Sequence, residues 1–411
     1  MMNQDPNDNI NVSYAKTVYG KEEIDAVVQC LKESTQMGKY SRQFENQIKK
    51  LFNKKHGLYV NSGSSALFLG IEALELPHGS EVITPALTFS TTVGCLLKNN
   101  LVPVFVDVEP LTYCIDTKQI SEMITEKTVA ILAPNLLGNV CNWPKIREIA
   151  SQNQLMVIED SADTLGATIN GHPTGYFTDM SITSFYGSHI INCAGNGGAL
   201  CLNRKSTMEN AKLLRSWGRS SSLFDEASES IENRFNVDLD GIPYDAKFVF
   251  EKTGYNLEGN ELGAAFGLVQ LKNLEQNIRI RRKNFEKQVL FFKKYSNFFQ
   301  TPQELKGVYS GWLAFPILIK DEAPFSRQEF QIFLEKSNIQ TRVVFTGNVI
   351  RQPMCKNANY KTNLHGYSNA DNVMRSGVLL PLHHGMTEDM FAHLWRSIER
   401  LIHQKTGLRS M

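Results

Sequence analysis

The sequence predicts an α/β protein in two unequal units: a large mixed-sheet α/β domain with its N-terminal arm over residues 1–275, and a small C-terminal α+β domain over 276–411. Three observations carry this reading. The chain has 411 residues, more than one ordinary domain needs. Short apolar runs of strand length alternate with helical periodicity as far as Leu202. After Tyr295 the order changes to a strand, a helix, a strand and an amphipathic closing helix, which describes a compact α+β unit.

In chain order, Ile24, Val27, Val28 and Leu31 recur at helical spacing, and a second helical pattern around Phe44 and Ile48 follows a turn at Gly38. These form the arm and the first helices. Strand-like runs follow at 82–84, 102–108, 129–133, 155–159, 181–185 and 199–202, with helical stretches between them. Such alternation argues for a sheet covered on both faces. Residues 261–295 read as a long, interrupted helix crossing from the large unit to the small one. The small unit offers strands at 312–320 and 341–345, a helix at 327–335 and a closing helix at 388–403. There is no internal repeat or low-complexity tract.

Composition excludes several classes of partner. Lys and Arg number 43 against 42 Asp and Glu, a net charge of +1, so no global field draws the chain to nucleic acid or an anionic membrane. No stretch approaches the roughly 18 apolar residues of a membrane span, and the start, MMNQDPNDNI, is polar where a signal peptide is apolar. A cytoplasmic location is expected. The seven cysteines are scattered, with no C-x-C or C-x-x-C pair, so they are expected to be small buried hydrophobes and no metal site is expected.

Three motifs carry chemistry. Asn61-Ser62-Gly63-Ser64-Ser65-Ala66-Leu67 puts small residues before an apolar helical run. Free N–H groups at a helix start bind anions, and Gly63 lets a phosphate come close; an ordinary serine N-cap explains the same residues. Leu155 to Asp160 reads as a buried parallel strand ending in acids, which places Asp160 where open α/β sheets bind ligands. There a carboxylate can keep a pyridinium nitrogen protonated, and Asp163 can reach a neighbouring group; alternatively both acids cap the next helix. The third motif, Ser184-Phe185-Tyr186-Gly187-Ser188-His189, ends on a histidine suited to general base work or to a structural hydrogen bond. Gly195-Asn196-Gly197-Gly198 lies ahead of a strand, so it marks a tight turn and not a dinucleotide fingerprint.

Taken in order, these motifs resemble the DegT/DnrJ/EryC1/StrS family of sugar aminotransferases, over nearly the whole chain. The likeness implies the aspartate aminotransferase fold (pyridoxal-phosphate fold type I), with Gly63, Ser64 and Ser184 on the cofactor phosphate and Asp160 on the pyridine nitrogen. Phe89, in Thr84-Pro85-Ala86-Leu87-Thr88-Phe89, resembles the aromatic that stacks on the cofactor ring, and Asp163 belongs to the same cofactor set. Asn256, in Gly254-Tyr255-Asn256-Leu257, resembles the asparagine that reaches the phosphate of a neighbouring subunit, which implies a homodimer with composite sites.

Five residues after Ser184 the family's aminotransferases carry the lysine that binds the cofactor covalently, and here the residue is His189. Imidazole forms no stable Schiff base. The resemblance therefore implies pyridoxamine or pyridoxal 5'-phosphate held noncovalently, with His189 moving a proton. Lysine replaced by histidine marks the family's sugar 3-dehydratases. Some of those carry an iron–sulfur cluster on four cysteines, but here the matching positions read Ala162 and Ser220-Ser221-Ser222, with no cysteine through Arg234, so no cluster is expected. Asn196 stands where the family has glutamate. The implied activity is C3 deoxygenation of a nucleotide-linked 4-keto-6-deoxyhexose in deoxysugar and O-antigen biosynthesis, with glutamate as amino donor. Two alternatives are a nucleotide-sugar aminotransferase and a noncatalytic binding or regulatory homologue.

Overall fold

The protein is described from a computed structural model covering residues 10–224 and 234–407. The polar start at 1–9 and the part of the cysteine-free stretch at 225–233 lie outside the described residues.

Seven strands form the central sheet: β1 (His56–Val60), β2 (Glu81–Pro85), β3 (Val102–Val106), β4 (Thr128–Pro134), β5 (Met156–Ser161), β6 (Met180–Ser184) and β7 (Gly198–Leu202). Their order is β1-β7-β6-β5-β4-β2-β3. From β3 to β6 every pair is parallel: α-helical crossovers connect the strands as far as β5, and a short hairpin with a 3-10 turn at 168–177 crosses from β5 to β6. β7 follows β6 through a connection at 185–197 that contains no helix and turns back on the sheet, so β7 runs antiparallel to both of its neighbours. Side-chain alternation along β5 divides the core. Ile158 joins Leu67, Met180 and Leu200 on one face, while Val157 joins Ile83, Ile131 and Ile146 on the other. Each such buried aliphatic side chain contributes ~1.5–3 kcal/mol, which is why these strands hold their register.

The expected strands, except that at 341–345, are present with small shifts at their ends. His56–Val60 and Gly377–Leu380 were not anticipated as strands, being short runs without a clear alternation. The long helix at 261–295 is two helices, Glu261–Lys272 and Leu274–Lys293, parted at Asn273. The 275/276 position lies in the first turn of the second.

In the C-terminal unit β8 (Phe315–Ile319) pairs antiparallel with Phe299–Gln300 on one side and with β9 (Gly377–Leu380) on the other. Helices Arg327–Lys336, Ser368–Ser376 and Glu388–Thr406 accompany this sheet. Phe292, Phe299, Phe315, Phe330 and Leu394 fill the core between them. The strand expected at 341–345 does not form. Arg342 makes one isolated bridge to Leu379, and the chain then turns away through left-handed conformations at Phe345 (φ 45°) and Gly347 (φ 62°). This turn carries Phe345 toward the large sheet. Among the described residues no helix is long and apolar enough to cross a membrane.

Candidate active site

A cavity of about 330 Å³ opens at the carboxyl ends of β4, β5 and β6, where a doubly covered sheet places its ligands. Seven of the eight residues singled out in the sequence line it: Gly63, Ser64, Phe89, Asp160, Asp163, Ser184 and His189. The eighth, Asn256, does not. It is exposed and bridges to Ser216 outside the cavity.

One end of the cavity is the start of helix Gly63–Ala73. Ser62 caps it, its side chain accepting from the Ser65 N–H at 3.0 Å, so the serine N-cap reading holds. The same geometry leaves first-turn N–H groups without intrahelical acceptors beside the cavity. Gly63 is required here: a Cβ would lie 2.5 Å from the Ser184 Cβ and 3.0 Å from its Oγ. The helix start and the end of β6 are therefore in direct contact, and Ser64, whose Oγ donates to Thr91 Oγ1 at 3.3 Å, completes a cradle of small hydroxyl residues.

At the other end stand two carboxyls. Asp160 is buried; its Oδ2 accepts from Thr92 Oγ1 at 2.8 Å and its Oδ1 from the Ala162 N–H at 3.1 Å. Burial raises its pKa above the ordinary carboxylate value, those two hydrogen bonds oppose the rise, and Glu159 adds to it. Both hydrogen-bond partners are neutral, so a protonated ring nitrogen would supply the counter-charge that this carboxylate lacks. Asp163 does not cap a helix. Its Oδ2 accepts from the Leu137 N–H at 3.0 Å, and burial pushes its pKa up to about 7, with that N–H opposing and Asp160 adding. Leu137 holds a left-handed backbone (φ 61°), a conformation that β-carbon sterics disfavour, and so aims its N–H at the carboxyl. Ser310 Oγ, donating to the Gly138 carbonyl at 2.5 Å, and the Leu313 N–H, donating to the Leu137 carbonyl at 2.8 Å, fix this loop.

His189 lies between these ends. Its Nδ1 is 3.0 Å from the Ser184 carbonyl, which can only accept, so Nδ1 carries the proton. The lone pair then sits on Nε2, 4.0 Å from Asp163 Oδ1. Burial lowers the imidazole pKa to about 4; the Ser184 carbonyl opposes and the Arg281 guanidinium adds. The ring is therefore neutral near pH 7 and presents an unprotonated nitrogen to the cavity. The Gly-Asn-Gly-Gly turn supports the His189 loop: Gly195 is left-handed (φ 113°), and its carbonyl accepts from the Gly187 N–H at 3.0 Å.

Several lining residues were invisible to sequence reading. Tyr14 arrives from the N-terminal arm, and Leu313 and Phe345 from the C-terminal unit. Phe345 meets Phe89 edge to face, with ring centroids 5.7 Å apart. Leu313 and Phe345 lay within expected strands, but nothing in those strands marked them for the site, and no local pattern marks Tyr14. On β5, Glu159 points to the opposite face from Asp160, where Ser161 and Ser181 hydroxyls each donate to it at 2.6 Å.

Comparison with known proteins agrees with this geometry. The profile of the DegT/DnrJ/EryC1/StrS aminotransferase family matches residues 18–399. The lipopolysaccharide biosynthesis protein RfbH of Salmonella typhimurium is 34% identical over 362 residues, covering 86% of this chain and 82% of its own. The GDP-4-keto-6-deoxy-D-mannose 3-dehydratase of Yersinia pseudotuberculosis is 30% identical, covering 83% of this chain and 86% of its own. The structure of E. coli GDP-4-keto-6-deoxy-D-mannose-3-dehydratase with bound hydrated PLP superposes with a TM-score of 0.84 at 30% identity, covering 94% of this chain and 99% of that one. The expected aspartate aminotransferase fold is the observed one, and the chain belongs to the DegT/DnrJ/EryC1/StrS aminotransferase family.

Proposed function

We propose that the protein is a 3-dehydratase that removes the C3 hydroxyl of a nucleotide-linked 4-keto-6-deoxyhexose, using pyridoxamine or pyridoxal 5'-phosphate held noncovalently and no iron–sulfur cluster. The observation that carries the reading is His189. Among the described residues the cavity wall contains no lysine, and at the family's lysine position an imidazole presents its free Nε2 beside Asp163. The 3-dehydratases among the relatives support the same reading.

The site fits the cofactor. The helix start at Gly63 and Ser64, with Ser184, would hold the phosphate; Asp160 would pair with the ring nitrogen; Phe89 would cover the ring. When bound, the cofactor supplies an amine for the sugar ketone and a ring that stores an electron pair. The chain's own residues do the rest. Asp160 holds a proton at the pyridine nitrogen, and His189 Nε2 takes a proton within the cavity and returns it. Ionisation of Asp163 raises the basicity of that nitrogen, as does an arriving anionic ligand. Phe345 and Leu313 exclude water from the same space.

Asn256, exposed on this protomer, is assigned to the phosphate site of a second copy, making the working unit a homodimer. Glutamate is assigned as amino donor. Purified protein mixed with pyridoxamine phosphate, glutamate and a 4-keto-6-deoxyhexose nucleotide should release the 3-deoxy sugar and ammonia, and should do so in the presence of chelator. An amino sugar as product would instead make it an aminotransferase, and no product at all a noncatalytic homologue.

A further inference from the structure

We propose that Tyr14 is a hydrogen-bond donor to the hexose and reads the ring hydroxyl that departs, which makes the N-terminal arm part of the specificity apparatus. This role rests on the deoxygenation reading above. The arm is built into place. The Val12 N–H donates to the Asn338 carbonyl and the Gln340 N–H to the Val12 carbonyl, both at 2.9 Å, so this stretch pairs with the C-terminal unit. The Tyr14 N–H donates to Gln340 Oε1 at 3.1 Å, and His383 Nε2 donates to the Ser13 carbonyl at 3.2 Å. Three residues on, Thr17 Oγ1 donates to the Gly187 carbonyl at 2.6 Å, two residues before His189. With the backbone held on both sides and the Arg342 guanidinium 5.4 Å over the ring, Tyr14 has one way to point.

It points into the cavity that His189 and Asp163 line. Burial keeps the phenol protonated; the Asp163 carboxyl strengthens this, and Arg342 and Arg281 oppose it. Several other donors nearby are committed, while Tyr186, Ser188 and Asn196 also line the cavity. Thr92 serves Asp160, the His189 Nδ1–H serves the Ser184 carbonyl, and the Ser64 and Ser184 hydroxyls sit at the helix start. Among the described residues the Tyr14 hydroxyl has no hydrogen-bond partner. A protonated, unengaged phenol beside the histidine that moves the proton is a donor waiting for a ligand oxygen. A polyhydroxylated ring supplies that oxygen at its reacting edge.

The test is binding without turnover. Holoprotein loaded with pyridoxal phosphate is titrated by calorimetry with 6-deoxyhexose nucleotides that carry a hydroxyl at C4 and so cannot condense. CDP, GDP, dTDP and UDP forms are used, each with and without the C3 hydroxyl. Wild type should favour the 3-hydroxy sugar about tenfold, and Tyr14→Phe should bind both forms alike. Because the ratio is taken within one protein, a general loosening of the arm cancels. A ratio unchanged by the substitution, or a wild type that does not discriminate, overturns the role of Tyr14 alone. Failure of wild type to bind any of the eight compounds overturns the sugar-nucleotide reading along with it.

Discussion

Replacing Asp163 by asparagine should change how stability depends on pH, in a direction fixed by the site. The native carboxyl titrates near pH 7 and the unfolded one at its ordinary 3.8. Below pH 3.8 both states hold the proton and the carboxyl costs nothing. As pH rises, the unfolded chain ionises first and is favoured, so stability falls until the native carboxyl ionises near pH 7 and is flat beyond. A gap of about three pH units at ~1.4 kcal/mol each sets an upper value of ~4 kcal/mol. The side chain keeps 14% of its surface open to the cavity, whose water narrows that gap and brings the value down to roughly 2 kcal/mol. Urea unfolding of the apoprotein at intervals from pH 4.5 to 8 measures it. Wild type should lose ~2 kcal/mol relative to Asp163→Asn over that range, the other carboxyls and histidines cancelling in the comparison. Parallel curves for the two proteins would refute the burial argument for Asp163.

Gly63→Ala should cost ~1–3 kcal/mol and weaken cofactor retention at least tenfold, since its Cβ would lie 2.5 Å from the Ser184 Cβ; dialysis followed by absorbance measures the retention. Borohydride treatment of the holoprotein should leave every lysine unmodified in peptide mass spectra, and a lysine adduct would remove His189 from its assigned place. His189→Lys should gain a cofactor that borohydride fixes at position 189 and a shifted visible band, while deoxygenation falls by roughly 100-fold or more. Retained full activity in that variant would make His189 a bystander.

The site was legible where chemistry is concentrated at strand and helix ends. Asp160 could be placed because a run of buried apolar residues precedes it, and Gly63 because small residues lead into an apolar helix. His189 stood out only beside the other two motifs. What stayed hidden was brought in from a distance. Tyr14 and Leu313 sit in ordinary surroundings: Tyr14 is placed by pairing between the arm and the C-terminal unit, and Leu313 by its bond to the Leu137 carbonyl, neither of which any periodicity records. The Thr341–Phe345 stretch shows the opposite failure. Val343, Val344 and Phe345 satisfy a strand pattern, yet Val343 stays exposed and Phe345 takes a left-handed turn, because its contact with Phe89 outweighs local preference. Asp163 lines the cavity and is held by an unforeseen partner, the Leu137 N–H, since left-handed leucine backbone leaves no mark in sequence.

The pairing of Val12 with Asn338 and Gln340 also sets an order of events during synthesis. One wall of the cavity is anchored by Val12 and Tyr14 and is held by residues more than three hundred positions later. Closing so long a loop is entropically costly and waits on the folding of the C-terminal unit. A nascent chain released as far as β7 already holds Gly63, Asp160 and Ser184, but it lacks Leu313, Phe345 and the anchor for Tyr14. Until Phe345 has been made the large unit is thus an open half-site, and the complete cavity forms only once the C-terminal unit is in place.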